Sequence, residues 1–167
     1  MVVRNNYLWM GEGVDVPFIA NGEMAELMYM SNNQDLYEGE FADAGLRFVD
    51  QEGEPVIDCK LMIEVLDATG PSISEERSKF IYHAVREDLS HEYSGSELRS
   101  AMRKDPYYNA LQVKYGYAVT CHKAQGGQWP VVIIYGGYLT EEMIDRGYWR
   151  WLYTAVTRAT TQLYIIQ

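Results

Sequence analysis

Cysteine is scarce: Cys59 and Cys121 are the only two copies in 167 residues. A disulfide framework is therefore not expected to hold this fold, and a reducing, cytoplasmic setting is the expected one. Long apolar runs are missing too. None approaches the roughly 18 residues that a membrane-spanning helix needs. The opening "MVVRNNYLWM" lacks the ordered basic, apolar and small-residue regions of a signal peptide. The phosphate-cradling pattern G-x-x-x-x-G-K-[ST] does not occur, since "GEGVDVP" has one glycine too few and no lysine. There is no internal repeat, no low-complexity tract and no G-x-S-x-G to support a serine nucleophile. His83 and His91 are too far apart for a zinc pair, and Cys121 and His122 are expected on opposite faces of an extended chain.

Positive charge is also in short supply, with 14 Lys and Arg against 24 Asp and Glu, a net charge of −10. Taken alone, that balance argues against a nucleic-acid binder. Its distribution along the chain is uneven, however. Residues 1–100 hold 20 acidic and 7 basic groups, whereas residues 101–167 hold 4 acidic and 7 basic ones. That basic excess leaves room for a phosphate-facing surface in the C-terminal part, though seven dispersed charges do not by themselves make one.

What the chain does have is apolar content of 47% with 14 tyrosines, enough for a folded domain with a real core. From Val2 to about Leu66, β-type runs alternate with turn signals. The expected strands are "MVVRNNYLWM", "GEMAELMYM", "EFADAGLRFV" and "LMIEVLD", with turns at "GEGVDVP", "SNNQ" and "DQEGEP" and a turn at Asn21-Gly22. Such spacing predicts a small barrel or curled sheet. "SISEERSKFIYHAVREDLS" predicts a helix capped by Ser72 or Ser74, with Phe80, Ala84 and Val85 near helical spacing. "SGSELRSAMRKDPYYNAL" predicts a second helix that stops before Pro106. Beyond it, "YAVT", "VVIIYG" and "QLYIIQ" read as parallel strands covered on both faces. Between the last two, one helix starts at Thr140 and "YWRWLYTAVTRA" makes another. This is an α/β order, for which ligands are expected at the carboxyl ends of strands.

One stretch does not fit a plain core: "YAVTCHKAQGGQWPVVII" sets a polar knot between apolar flanks. On a strand, Thr120 and His122 share one side and Cys121 takes the other. A hydroxyl and an imidazole N–H suit phosphate oxygens, the commonest contacts to DNA. Lys123 adds charge where the chain turns, and Gly126 and Gly127 allow close approach or positive φ. The same letters also describe a tight strand-to-helix turn with solvated polar groups. Tyr148, Trp149 and Trp151 suit either base stacking or helix packing, as do Tyr107 and Tyr108.

"YAVTCHKAQGGQW" followed by "WLYTAVTRATTQLYII" closely resembles motifs V and VI of superfamily-1 DNA helicases, and more narrowly the C-terminal domain of the UvrD/RecD-like group. The T-x-H-x-x-Q-G and Y-T-A-x-T-R-A cores are each fairly specific, and together they cover about a third of the chain. "NNYLWM…FIANGEMAELMYM" looks like the start of the small SH3-like barrel inserted in the second motor lobe of RecD-like helicases. The resemblance implies an SH3-like barrel over residues 1–70 and the C-terminal part of a second RecA-like, P-loop NTPase-type lobe over residues 71–167. It implies DNA-backbone contacts from Thr120, His122 and Lys123, and ATP contacts from Gln125, Gly126, Gln128 and Arg158. Arg158 becomes the arginine finger that reaches the γ-phosphate, whereas read locally it is a solvated charge complementing a helix dipole. Many relatives carry glutamate where this chain has Gln128, which leaves a hydrogen bond to ribose but no charge.

The implied substrate partners are ATP with Mg2+, held mainly by an N-terminal lobe, and single-stranded DNA. With neither a phosphate loop nor a Walker B acid, the chain reads as a C-terminal piece of a longer motor and is expected to be inactive alone. Two other readings stay open. One is a stand-alone binding module derived from a helicase lobe, its acidic barrel docking a protein. The other is a helicase-like subunit of a repair nuclease.

Overall fold

In the computed structural model, residues 1–9, 18–49 and 51–166 are described. The turn expected at "GEGVDVP" lies outside them. The fold is mixed α/β and divides into two compact units, Met1–Gly116 and Tyr117–Gln167.

The first unit is built on a three-stranded antiparallel sheet in the order β1 (Ala25–Leu36), β2 (Gly39–Phe48), β3 (Val56–Met62). Its register runs from Leu36 opposite Gly39 to Ala25 opposite Phe48, and from Phe41 opposite Met62 to Arg47 opposite Val56. The Asn21-Gly22 turn is present, with Gly22 at φ 100°. In the described part of "MVVRNNYLWM", residues 1–9, there are only isolated bridges, Val2 to Val113 and Asn6 to Ile19. A closed barrel is not present among the described residues.

"SNNQ" is not a turn. It lies inside β1, where Asn32 takes φ 53° at a register shift between Ser31 and Gln34. This is a bulge, and Asn32 Nδ2 donates to Asp43 across it at 2.7 Å. The chain reverses instead at Tyr37 and Glu38, both left-handed at φ 51° and 57°. Two positive φ values between paired strands make a type I′ hairpin, which usually takes Asn or Gly. Tertiary contacts hold Tyr37 there. Arg77 Nη1 donates to its carbonyl at 2.7 Å, its hydroxyl donates to Asp88 at 2.8 Å, and its ring meets Tyr107 edge-on. Gly39 follows because a Cβ there would overlap the Arg77 guanidinium and the Glu64 carboxylate.

The expected strand "LMIEVLD" stops at Met62, and Glu64–Asp67 forms a short helix α1. Helical turning puts Val65 fully inside and lets Glu64 accept from Arg77 at 3.0 Å. Helix α2 (Glu75–Ser90) starts at Ser74, whose hydroxyl accepts the Arg77 N–H at 3.1 Å, so the Ser74 cap is as expected. Its buried stripe is Ile81 and Val85, while Phe80 is exposed and stacks on Arg77. Helix α3 (Gly95–Lys104) ends before Pro106, as expected.

Two cores explain where the first unit ends. One lies under the sheet: Ala44, Leu46, Phe48, Ile57, Cys59 and Leu61 pack with Val2, Ile19, Leu111 and Val113. The other joins Phe41, Met62 and Val65 to Ile81, Val85 and Met102 of the helices. The compact unit therefore runs to Gly116 rather than breaking near residue 70, because α2 and α3 bury their apolar stripes against β2 and β3.

The second unit holds a two-stranded parallel sheet of β4 (Trp129–Tyr135) and β5 (Ala159–Ile166). Between them come a 3-10 turn at Glu141–Met143, with Thr140 before it, and helix α4 (Arg146–Val156), capped by Asp145 accepting from Tyr148 N at 2.8 Å. Two expectations fail here. No strand forms over residues 117–120, since the ladder of this unit consists of β4 and β5. The strands are not covered on both faces either: Ile133 is 63% and Ile165 53% exposed, and only Ala124, Ile134 and Ala155 are buried apolar residues. Two strands and one helix offer too few faces to enclose an apolar sheet on both sides.

Candidate functional site

The polar knot is a compact turn. The Thr120 carbonyl accepts from Lys123 N at 2.9 Å and Ala124 N at 3.1 Å, His122 O accepts from Gln125 N at 3.3 Å, and Ala124 O accepts from Gly127 N at 3.3 Å. Ala124 is its buried anchor. Thr120, His122 and Gln125 are exposed and Lys123 is half-buried. Gly126 sits at φ 91°, a left-handed conformation that favours glycine. At Gly127 a Cβ would overlap the Trp129 ring, so the missing side chain lets the indole lie on the backbone. The knot thus leads into the amino end of β4 instead of closing the carboxyl end of a strand.

Arg158 follows α4 and precedes β5. Its N–H donates to Ala155 O at 3.2 Å, completing the end of the helix. The guanidinium then turns back. Nε donates to Thr154 O at 3.0 Å, Nη2 to Thr157 Oγ1 at 3.1 Å and Nη1 to Gly127 O at 3.0 Å. Trp129 N donates to Arg158 O at 2.8 Å, and Gln128 Nε2 to Thr157 O at 3.3 Å. The glycine pair and the arginine, about thirty residues apart, are therefore stitched together at the amino ends of β4 and β5. A guanidinium has five N–H donors, so two remain beyond these three bonds. The Gln128 amide nitrogen is engaged, and its oxygen has no bond among the described residues.

Cys121 lies in the same neighbourhood. Its thiol donates to Trp151 O at 3.5 Å. Burial raises its pKa, and the nearby Arg158 charge partly opposes that shift.

Residues 115–166 match the family model of the UvrD-like helicase C-terminal domain. This segment is a UvrD-like helicase C-terminal domain. The comparison with curated proteins found no match. A helicase-related role follows for the UvrD-like segment, with nucleic acid and nucleotide as the partners its family implies. No helix among the described residues is long and apolar enough to cross a membrane, and no cluster of three or more His, Cys, Asp or Glu among them could hold a metal.

Sequence reasoning missed Trp129 and the role of the Gly127 carbonyl. The signal was present as a glycine two positions before a tryptophan, but only the turn geometry puts the ring on that glycine. Tyr148 packs against both Trp149 and Trp151, at 5.5 and 5.7 Å between ring centroids, so these aromatics pack against one another along α4.

Proposed function

We propose that the UvrD-like segment is the part of an ATP-dependent DNA helicase motor that carries motifs V and VI. In this reading Arg158 is the arginine finger, and Gln125, Gly126 and Gln128 border the ATP. Thr120, His122 and Lys123 contact the backbone of single-stranded DNA. The lobe is RecA-like, the sheet of the first unit belongs to an SH3-like insertion, and the setting is cytoplasmic. An N-terminal lobe outside this chain supplies the phosphate loop and holds most of the Mg2+-ATP.

The observation that supports this reading most is the bond from Arg158 Nη1 to Gly127 O. It fixes the guanidinium beside the glycine turn while two donors stay available for a phosphate. A guanidinium so placed stabilises charge that builds on the transferred phosphoryl group, an effect worth roughly three to five orders of magnitude in rate. Lys123, by contrast, offers a point charge suited to a DNA phosphate.

The 167-residue chain alone should show no ATPase above background, with or without single-stranded DNA. Turnover that survives purification and vanishes in Arg158→Ala would sink the two-lobe reading. In the longer motor, Arg158→Ala should abolish ATP-driven unwinding and leave DNA binding nearly intact. Lys123→Ala should weaken single-stranded DNA binding across sequences and lower its salt slope by about one phosphate contact. If both variants merely lost stability, the knot would be a structural turn.

A further inference from the structure

The Met1–Gly116 unit holds a cleft of about 450 Å³ that the helicase reading does not use. It opens between the N-terminal segment 3–7, the first turns of α2 and the stretch 108–112. Its volume falls within the range of roughly 300–1,000 Å³ usual for small-molecule sites. Among the described residues the lining includes no Asp or Glu, in a region whose first hundred residues hold 20 of them, and the one charge among those lining residues is Arg4. Five carboxamides meet there.

Two of these carboxamides hold the wall together. Asn6 Nδ2 donates to Asn109 O at 2.7 Å while its oxygen accepts from Leu8 N and Trp9 N. Asn109 Nδ2 donates to backbone carbonyls at the end of α3. The other three have capacity to spare. Gln112 is 4% exposed, and its Oε1 accepts from Ile73 N at 3.2 Å, leaving Nε2 without a bond among the described residues. Asn5 Oδ1 accepts from Asn21 N at 2.8 Å, leaving its Nδ2, and the Asn21 side-chain carboxamide is not engaged among the described residues. Tyr108 lines the cleft and is 39% exposed, its ring steadied edge-on by Tyr82.

We propose that this cleft binds one nucleotide, with its base against the carboxamides and Tyr108 and its phosphate on Arg4. The Asn21 carboxamide presents a donor and an acceptor side by side, the pattern needed to read a base edge, and the Gln112 and Asn5 nitrogens add donors. Tyrosine supplies a face for any base, and a cation in a wall whose described residues carry no acid suits an anion. The same chemistry is offered by a free mononucleotide and by one nucleotide of a single strand.

The test is to titrate the 167-residue chain with AMP, adenosine and a short single-stranded oligodeoxyadenylate while following side-chain amide resonances by NMR. AMP should move the Gln112 and Asn21 signals saturably. Arg4→Ala should weaken AMP about tenfold and leave adenosine nearly unchanged, as loss of a charge-assisted contact requires. Asn21→Ala should weaken both. Arg4 and Asn21 are exposed, with side chains uncommitted among the described residues, so both variants should fold. Competition of the oligonucleotide with AMP identifies a strand as the source, and AMP binding without competition identifies free nucleotide. The proposal is overturned if AMP at millimolar concentration leaves Gln112 unmoved, or if neither variant changes AMP affinity.

Discussion

Arg158 Nη1 donates to the Gly127 carbonyl at 3.0 Å, and Trp129 N donates back to the Arg158 carbonyl at 2.8 Å. This pair ties side chain to main chain, and the guanidinium direction is set by three acceptors, one on helix α4, one at its C-cap and one on the glycine turn. Lysine keeps the charge but has one nitrogen where arginine has three. Arg158→Lys should therefore lose about 1 kcal/mol in thermal or urea unfolding, and should fail to restore ATPase in the longer motor. Wild-type turnover in that variant would show that charge alone, not the fork, is needed.

Gly45 and Tyr29 form a second fixed pair. The Tyr29 ring lies across Gly45, where a Cβ would overlap it, and its hydroxyl reaches Asp58 on the far strand. Gly45→Ala should cost about 1–3 kcal/mol by overpacking. Adding Tyr29→Ala should recover part of that loss, since the clash disappears with the ring. Strictly additive costs in a double-mutant cycle would show that the two residues do not meet.

Ile81 of α2 shares a buried core with Phe41 and Met62 of the sheet and with Val65 of α1. Ile81→Ala should destabilise the first unit by about 2–5 kcal/mol. Amide exchange should accelerate in β2 and β3 as well as in α2, because one core serves both. Faster exchange confined to α2 would mean that the sheet stands without the helices.

Tyr37 gives a pH signature. Burial first, and the hydrogen bond to Asp88 second, push its hydroxyl pKa well above the ordinary value. A raised native pKa contributes stability that is intact below the unfolded value of about 10 and is lost as pH climbs from there toward the native one. Tyr37→Phe should cost about 1 kcal/mol near pH 8, and the gap to wild type should shrink above about pH 10. Urea titrations at the two pH values check this, and a gap that does not change would rule out the linkage.

Local chemistry alone placed several elements. Ser74 before two glutamates and an apolar stripe was enough to start α2, and Pro106 was enough to bound α3 from beyond, because caps and breakers act within a turn. Asn21-Gly22 announced its turn for the same reason. The glycine pair and Arg158 carried the family signature in their spacing, and residues 115–166 belong to that family.

Other features had no local cause to read. The reversal at Tyr37-Glu38 depends on Arg77 and Asp88, forty and fifty-one positions away, which hold non-glycine residues at positive φ. Without those contacts, "SNNQ" is the better turn on composition, and it became a bulge. The run "YAVT" had strand-forming residues, but a strand also needs a ladder, and pairing is decided by the assembled sheet. Sequence by itself thus determined caps, breakers and the motif residues, whose effects act over a few positions. Tertiary structure decided which carbonyl receives Arg158, where the hairpin turns and which helices share a core with the sheet, because each depends on groups brought together only by folding.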